Sequence, residues 1–182
     1  MLALQGAHRP HVATLERLGH RCSLVRAPAD LRDIEGLVLP GGESTTMLTL
    51  LRARGLLDML REPPLIPVLA TCAGLILAAR TVVEPAQRSF GWIDITVARN
   101  AWGRQVHSFE AVAETPADGP FAGTPLPLVF IRAPRIRAVG AGVEVLAKVE
   151  GEPVMVRQAN VLGATFHPEL TADRRVHALA FG

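Results

Sequence analysis

ValLeuAlaThrCysAlaGlyLeuIleLeuAlaAla, Val68 to Ala79, decides how this chain folds. Val68 to Ala70 is an apolar run of strand character leading straight into Cys72, and the apolar Ala73 to Ala79 behind it reads as a helix. Strand, sharp turn and helix is the context that raises a nucleophile above the end of a sheet, because small residues on either side leave room for the turn. Backbone N–H groups at the start of such a helix favour a thiolate. An inert core thiol is the competing reading of Cys72, since free cysteine is among the most buried residue types. Cys22, between Arg21 and Ser23 with no small-residue turn, reads as structural.

Upstream, short apolar runs alternate with segments of helical period. Leu2 to Leu4 reads as a clipped first strand, and His11 to Leu18 as a helix with Pro10 near its start and Gly19 at its end. Cys22 to Val25 and Gly36 to Leu39 read as the next strands, the latter stopping at Pro40, Gly41 and Gly42. Glu43, Ser44 and Thr45 can cap a long helix whose apolar residues include Met47, Leu50, Leu51, Leu57 and Leu60. This alternation predicts an α/β fold with a mostly parallel sheet covered by helices on both faces. Downstream the pattern changes to strands separated by Gly and Pro turns: Ile93 to Val97, Val106 to Val112, Leu128 to Ile131, Val143 to Val149, Val154 to Val156 and Val161 to Phe166. They read as an antiparallel extension of the same sheet, closed by a helix near Ala172 to Leu179. With no internal repeat and no linker, residues 1–182 are expected to form a single domain.

The 182 residues suffice for a sizeable core, and 49% hydrophobic with 20% charged residues is a globular composition. The net charge is only +2 and the arginines are scattered, with Lys148 the one lysine, so a nucleic-acid partner is not expected. No window approaches the roughly 18 apolar residues of a membrane-spanning helix, and the first residues do not resemble a signal peptide. Two cysteines without such a signal fit a reducing cytoplasm rather than a disulfide framework. They also lack CxxC spacing, and the histidines lack HxxxH, so neither a zinc site nor another metal is expected.

A thiol nucleophile needs a base, and the base needs an orienting carboxylate. ThrPheHisProGluLeu, Thr165 to Leu170, ends an apolar strand, where catalytic groups gather in open α/β sheets. Pro168 restricts His167, so an extended segment is predicted in which His167 and Glu169 project to one side and the carboxylate sets the imidazole tautomer. His8, His11, His20, His107 and His177 read as ordinary surface or core histidines. LeuProGlyGlyGluSerThrThrMet, Leu39 to Met47, ends a strand and opens a helix, and its glycines allow a peptide N–H to face the site as an oxyanion donor. Taken alone, this segment reads rather as a plain turn with a helix cap, and the phosphate-loop patterns GxxxxGK[ST] and GxGxxG are absent.

Taken together, AlaLeuGlnGly near the start, ProGlyGlyGluSerThrThr, ThrCysAlaGly, ArgAsnAlaTrpGlyArgGlnVal (Arg99 to Val106), PheIleArgAlaPro (Phe130 to Pro134) and PheHisProGluLeu resemble a known family in order and spacing. The family is the glutaminase subunits of pyridoxal 5′-phosphate synthase, within the class I, triad-type glutamine amidotransferases, and the resemblance covers nearly the whole chain. It implies a three-layer, flavodoxin-like α/β/α fold, with Cys72 as nucleophile, His167 as base and then acid, and Glu169 as orienter. It further implies glutamine contacts at Gly42, Glu43, Ser44, Arg99, Ile131 and Arg132, and an oxyanion hole from the Gly41 to Gly42 turn and the N–H of Ala73. Arginine suits an α-carboxylate because its fork can bind both oxygens. L-Glutamine is the implied substrate, no cofactor is implied, and the ammonia would pass to a separate synthase subunit that activates the glutaminase on docking. Gln5 is placed by the resemblance near the docking rim. Two departures stand out: Ala70 occupies a position where the family usually has glycine, and the chain begins a few residues short of the usual first strand.

Two other functions compete with this expectation. A different class I glutaminase, such as that of histidine synthesis, does not account for ArgAsnAlaTrpGlyArgGln. A non-enzymatic binding protein with an exposed cysteine on a similar sheet has no need of HisProGlu or PheIleArgAlaPro.

Overall fold

A computed structural model describes residues 1–99 and 108–182. The ArgAsnAlaTrpGlyArgGlnVal stretch beyond Arg99, and the first two residues of the strand expected over Val106 to Val112, lie outside the described residues. In chain order the first half contains α1 (His8–Arg17), β1 (Leu37–Leu39), α2 (Ser44–Ala53), β2 (Val68–Thr71), α3 (Ala73–Ala78), β3 (Ala79–Val83) and β4 (Ile93–Ala98). The second half contains β5 (Ser108–Val112), β6 (Pro127–Ile131), β7 (Arg135–Val139), β8 (Glu144–Val149), β9 (Glu152–Gln158), β10 (Val161–Ala164) and α4 (Arg175–Phe181).

The central sheet runs β1, β2, β10, β9, β8. β1, β2 and β10 are parallel to one another, and β9 and β8 continue antiparallel. Side chains alternate across it with the period of two that a strand imposes. Leu37, Leu39, Val68, Ala70, Val156 and Val161 enter one core with Met47 and Leu51 of α2 and Leu75 of α3. Val38, Leu69, Met155, Leu162 and Ala164 enter a second core with Leu15 of α1, Val176 of α4 and Phe130 of β6. Leu37, Leu39 and Leu69 are fully buried, and each such leucine favours the folded chain by about 1.5–3 kcal/mol. Two cores on opposite faces of one sheet make the three-layer α/β/α fold expected from the sequence.

The antiparallel part departs from expectation. Only β8 and β9 extend the central sheet in antiparallel fashion, since Val161 to Phe166, expected among the antiparallel strands, supplies β10, which pairs parallel with β2; β3, β4 and β7 form a separate three-stranded sheet, and β5 pairs with β6 in a hairpin. β3 and β7 were not anticipated, because each exposes residues at positions where a half-buried strand would be apolar. Leu2 to Leu4 and Cys22 to Val25 each contribute only one bridge, Leu2 to Val25, although Leu2 is fully buried and its N–H donates to Val38 O at 3.0 Å. The closing helix starts at Arg175 rather than Ala172, after Asp173 accepts from the Arg175 N–H.

Helix α2 is shorter than predicted for a chemical reason. Gly55 has φ +70, its N–H bonds Arg52 O at 3.1 Å, and the Leu56 N–H bonds Leu51 O at 2.9 Å. These bonds satisfy the last carbonyls of the helix and turn the chain away, so Leu57 and Leu60 pack into the core from the following turns. At its other end Glu43 is the cap, accepting from the N–H groups of Thr45 at 3.1 Å and Thr46 at 2.6 Å.

Candidate active site

The three parallel strands end side by side, and each hands one segment to the same cleft. β1 leads into Pro40, Gly41 and Gly42, β2 into Cys72, and β10 through Thr165 and Phe166 into His167. Cys72 has φ +49, a conformation that costs a non-glycine residue energy and is found where surrounding structure over-determines it. Its N–H is held by Ala164 O at 2.9 Å, and its carbonyl accepts from the Ile76 N–H at 3.2 Å. A side chain at Gly74 would run into the carbonyl of Leu39, so glycine is what lets α3 lie against β1 directly behind the nucleophile. Ala70 is fully buried in the same core as Leu39 and Leu75, and the elbow forms with its methyl group in place.

His167 and Glu169 meet at 2.7 Å, Nδ1 to Oε1. The backbone between them is not the extended segment expected: Pro168–Leu170 is a single 3-10 turn, with the Leu170 N–H returning to His167 O at 3.2 Å. Proline at the first position of that turn has no N–H to satisfy, which fits it to a helical start as well as to an extended chain. The His167 N–H is fixed by Val129 O at 2.8 Å, tying the base to β6.

A cleft of about 420 Å³ opens above these groups, lined by Gln5, Gly42, Glu43, Ser44, Cys72, Arg99, Ile131, Arg132 and His167 among others. Gly41 packs so closely that a Cβ there would sit 2.5 Å from His167 Cε1 and 3.5 Å from Cys72 Cβ. Cys72 Sγ lies 4.0 Å from Ile131 O. Arg99 donates to Glu43 Oε1 at 3.2 Å and to Thr45 Oγ1 at 3.1 Å, and Ser44 donates to Gln87 Oε1 at 2.9 Å. Gln5 bonds the carbonyl of Glu43 at 3.0 Å, and the Ala7 N–H bonds Gly41 O at 3.2 Å, so the chain around residues 5–7 braces the glycine turn. Thus every site residue predicted from the sequence borders this cleft except Gly41 and Ala73, which adjoin its floor beside Cys72 and His167, and Glu169, which is buried behind His167. Among the described residues, no three His, Cys, Asp or Glu side chains are grouped to hold a metal.

Electrostatics match the geometry. Burial opposes the imidazolium of His167, but hydrogen bonding to Cys72 and Glu169 outweighs it and lifts the base to about 10. Burial likewise opposes the Glu169 carboxylate, yet the bond from His167 and the proximity of His11 hold it below its ordinary range. Glu43 is held down to about 2: its desolvation is overcome by the N–H and hydroxyl of Thr46 and then by Thr45.

Sequence reasoning missed His11 and His177, which lie directly behind Glu169 and are fully buried. His11 Nε2 is 3.2 Å from Glu169 Oε2, and His11 Nδ1 is 2.8 Å from His177 Nε2. A signal existed, since His11, Thr14 and Leu15 form the buried face of α1 and two of the three are polar. Burial, partly opposed by Glu169, pushes both His11 and His177 down to about 4.

These shifts fix how stability responds to acid. Between about pH 6.5 and 4 the unfolded chain takes up protons at His11 and His177 that the folded chain refuses, so stability is lost as pH falls through that window. The depressed carboxyl of Glu169 extends the loss below its ordinary range, whereas the raised His167 loses its contribution as pH climbs from 6.5 through about 10. His11 and His177 each contribute at most on the order of 3 kcal/mol, and His167 at most on the order of 5 kcal/mol. The urea midpoint is therefore expected to drop markedly between pH 7 and pH 4.5, and a flat profile there would contradict the assignment.

The model of the SNO glutamine amidotransferase family matches residues 1–181. This chain belongs to that family. A curated relative from Koribacter versatilis (strain Ellin345), named pyridoxal 5′-phosphate synthase subunit PdxT, is 52% identical over 179 residues, covering 98% of this chain and 91% of the relative. A protein of the same name from Solibacter usitatus (strain Ellin6076) is 52% identical over 182 residues, covering 98% and 95%. A crystal structure described as glutamine amidotransferase superposes with TM-score 0.88 at 44% identity, covering 98% of this chain and 94% of that one. No helix among the described residues is long and apolar enough to cross a membrane.

Proposed function

We propose that this protein hydrolyses L-glutamine to L-glutamate and ammonia and delivers the ammonia to the synthase subunit of a pyridoxal 5′-phosphate synthase. The observation that carries the reading is Cys72, held at φ +49 at the end of β2 in a cleft that it shares with His167, itself bonded to Glu169 at 2.7 Å.

Cys72 passes its proton to His167 and attacks the side-chain carbonyl carbon of glutamine. The oxyanion that forms is met by peptide N–H groups of the Gly41 to Gly42 turn and of Ala73; such donors lower the barrier by about 2.7–4 kcal/mol each in other enzymes. His167 then protonates the departing nitrogen, and ammonia leaves a glutamyl thioester on Cys72. Neutral His167 next takes a proton from water, whose oxygen attacks the thioester carbon, and returns it to sulfur as glutamate departs. Arg99 and Arg132 supply cations for the α-carboxylate, and Gly42, Glu43, Ser44 and Ile131 line its approach. Arg99 is paired with Glu43 in the free chain, so substrate must compete for it. Residues 1–182 act as one glutamine amidotransferase domain, and Gln5, bracing the turn from the cleft rim, belongs to the region that docking rearranges.

The relatives' shared name as a synthase subunit supports the partner. Ammonia release from glutamine, measured with and without the purified synthase subunit, tests chemistry and partnership together. Turnover is expected to be low alone and to rise at least tenfold with the partner. Equal rates in both conditions would refute partner activation, and no ammonia in either would refute the glutaminase.

A further inference from the structure

We propose that His11 is a positioning residue for this glutaminase reaction: it holds the second oxygen of Glu169, while His177 fixes its tautomer, so that the triad extends as Cys72, His167, Glu169, His11, His177. This inference rests on the glutaminase reading above.

The chain of contacts is continuous through four elements. Glu169 Oε1 faces His167 Nδ1 at 2.7 Å, and Oε2 faces His11 Nε2 at 3.2 Å. The second contact is an electrostatic approach rather than a straight hydrogen bond, because His11 Nε2 also lies 3.3 Å from Thr71 Oγ1, one residue before the nucleophile. The tautomers follow from what each nitrogen faces. A proton on His11 Nε2 points at the carboxylate and the hydroxyl, leaving Nδ1 to accept from His177 Nε2–H at 2.8 Å. The reverse arrangement would aim a lone pair at the carboxylate and strand an N–H at His177 Nδ1, a buried atom with no partner. A lone pair is the cheaper group to leave there.

Glu169 thus has one imidazole facing each oxygen, with its side chain fully buried. The titratable groups facing the cluster are His167 and Glu169 from the turn after β10, His8 from α1, His177 from α4, and Cys72 at the β2 elbow. Without His11, Oε2, which has no hydrogen-bond partner, would also lose the imidazole that faces it, the carboxyl would take up a proton at higher pH, and its aim at His167 would loosen. Outer-shell partners that orient metal-bound histidines change affinity or activity about 10- to 100-fold, and a contact that orients the carboxylate of a triad is expected to act on the same scale.

The test compares wild type, His11→Leu and His11→Gln in complex with the synthase subunit, measuring kcat and KM for glutamine across pH. His11→Leu is expected to lower kcat about 10- to 100-fold with KM within about twofold, and to move the acidic limb of the kcat profile upward. His11→Gln, whose amide N–H can reach the place of Nε2, should recover most of the loss. Wild-type kcat in His11→Leu would overturn the inference, as would a loss that glutamine does not rescue and that leaves the acidic limb in place. Should His11→Leu fail to fold, His177→Phe decides, since freeing the His11 tautomer must shift the same limb. The pH midpoint for alkylation of Cys72 by iodoacetamide needs no turnover and should also rise in these variants. That readout separates failure of this inference from failure of the glutaminase reading, which an inactive wild type would signal.

Discussion

Cys72→Ala is expected to abolish ammonia release from glutamine while the protein still binds its synthase subunit. Removal of a nucleophile that works as one unit with its base costs up to ~10⁶ in kcat elsewhere, so a drop of at least about 10⁴ is expected here. The loss should be specific because the site is otherwise untouched. Cys72 is only 6% exposed, alanine removes one sulfur, and the groups that shape the elbow are Gly74 against Leu39, the Ala164 carbonyl and the Ile76 N–H, none of which involves the thiol. Alanine at φ +49 carries the same strain as cysteine, so stability should change little. Isothermal titration with the synthase subunit and a coupled ammonia assay measure the two quantities separately. Ammonia at the wild-type rate from Cys72→Ala would end the nucleophile assignment, whereas loss of both binding and activity would show that the thiol also supports the docking surface.

What the sequence disclosed and what it concealed differ by how local the causes are. The elbow was legible because its physics is local: a strand, a cysteine between small residues and an apolar helix determine one another within about ten positions. β1 and β2 were legible for the same reason, each an apolar run ended by a turn, whereas β10, expected among the antiparallel strands, lies parallel to β2 because its direction is set by pairing 93 positions away in sequence, Val161 against Val68. Gly19 and Gly55 show where this fails. Both end their helices with the same pair of hydrogen bonds, to Glu16 and Leu15 in one case and to Arg52 and Leu51 in the other. At Gly19 the apolar period stops, whereas after Gly55 it continues through Leu57 and Leu60, which pack into the core from a different backbone. β3 follows α3 without any loop and exposes Arg80 and Thr81, so no turn or alternation marked it.

Among the site residues, HisProGlu gave the right pair on the wrong backbone. The contact between His167 and Glu169 survives because His167 caps the turn from outside it, at φ −109 and ψ 84, and from there its side chain meets that of Glu169. His11 and His177 could not be separated from ordinary histidines, because their meaning comes from partners about 160 positions away in sequence: His11 lies 158 residues before Glu169 and 166 before His177. A helix shows which face is buried but not which carboxylate will lie against it.

Glu169→Gln should be nearly as damaging as loss of the nucleophile, with kcat falling by about 10⁴, the size of the effect when the orienting carboxylate of a related triad becomes an amide. Glutamine keeps the shape but offers one acceptor and one donor where two imidazole N–H groups arrive, His167 at 2.7 Å and His11 at 3.2 Å. If the amide oxygen turns to His11, its NH2 faces His167 Nδ1 and drives the proton to Nε2, so the base can no longer accept from Cys72. If the oxygen turns to His167, the tautomer is right but the negative charge is gone. The lift that brings His167 to about 10 comes from both Cys72 and Glu169, so its midpoint must then fall toward the ordinary value. Either orientation weakens the imidazolium that has to protonate the departing nitrogen. The pH dependence of ammonia release in the complex distinguishes them, since only the second leaves a residual activity whose alkaline limb has moved downward. A Glu169→Gln rate within tenfold of wild type at every pH would mean that the carboxylate does not orient His167 at all, and the contact at 2.7 Å would then be structural.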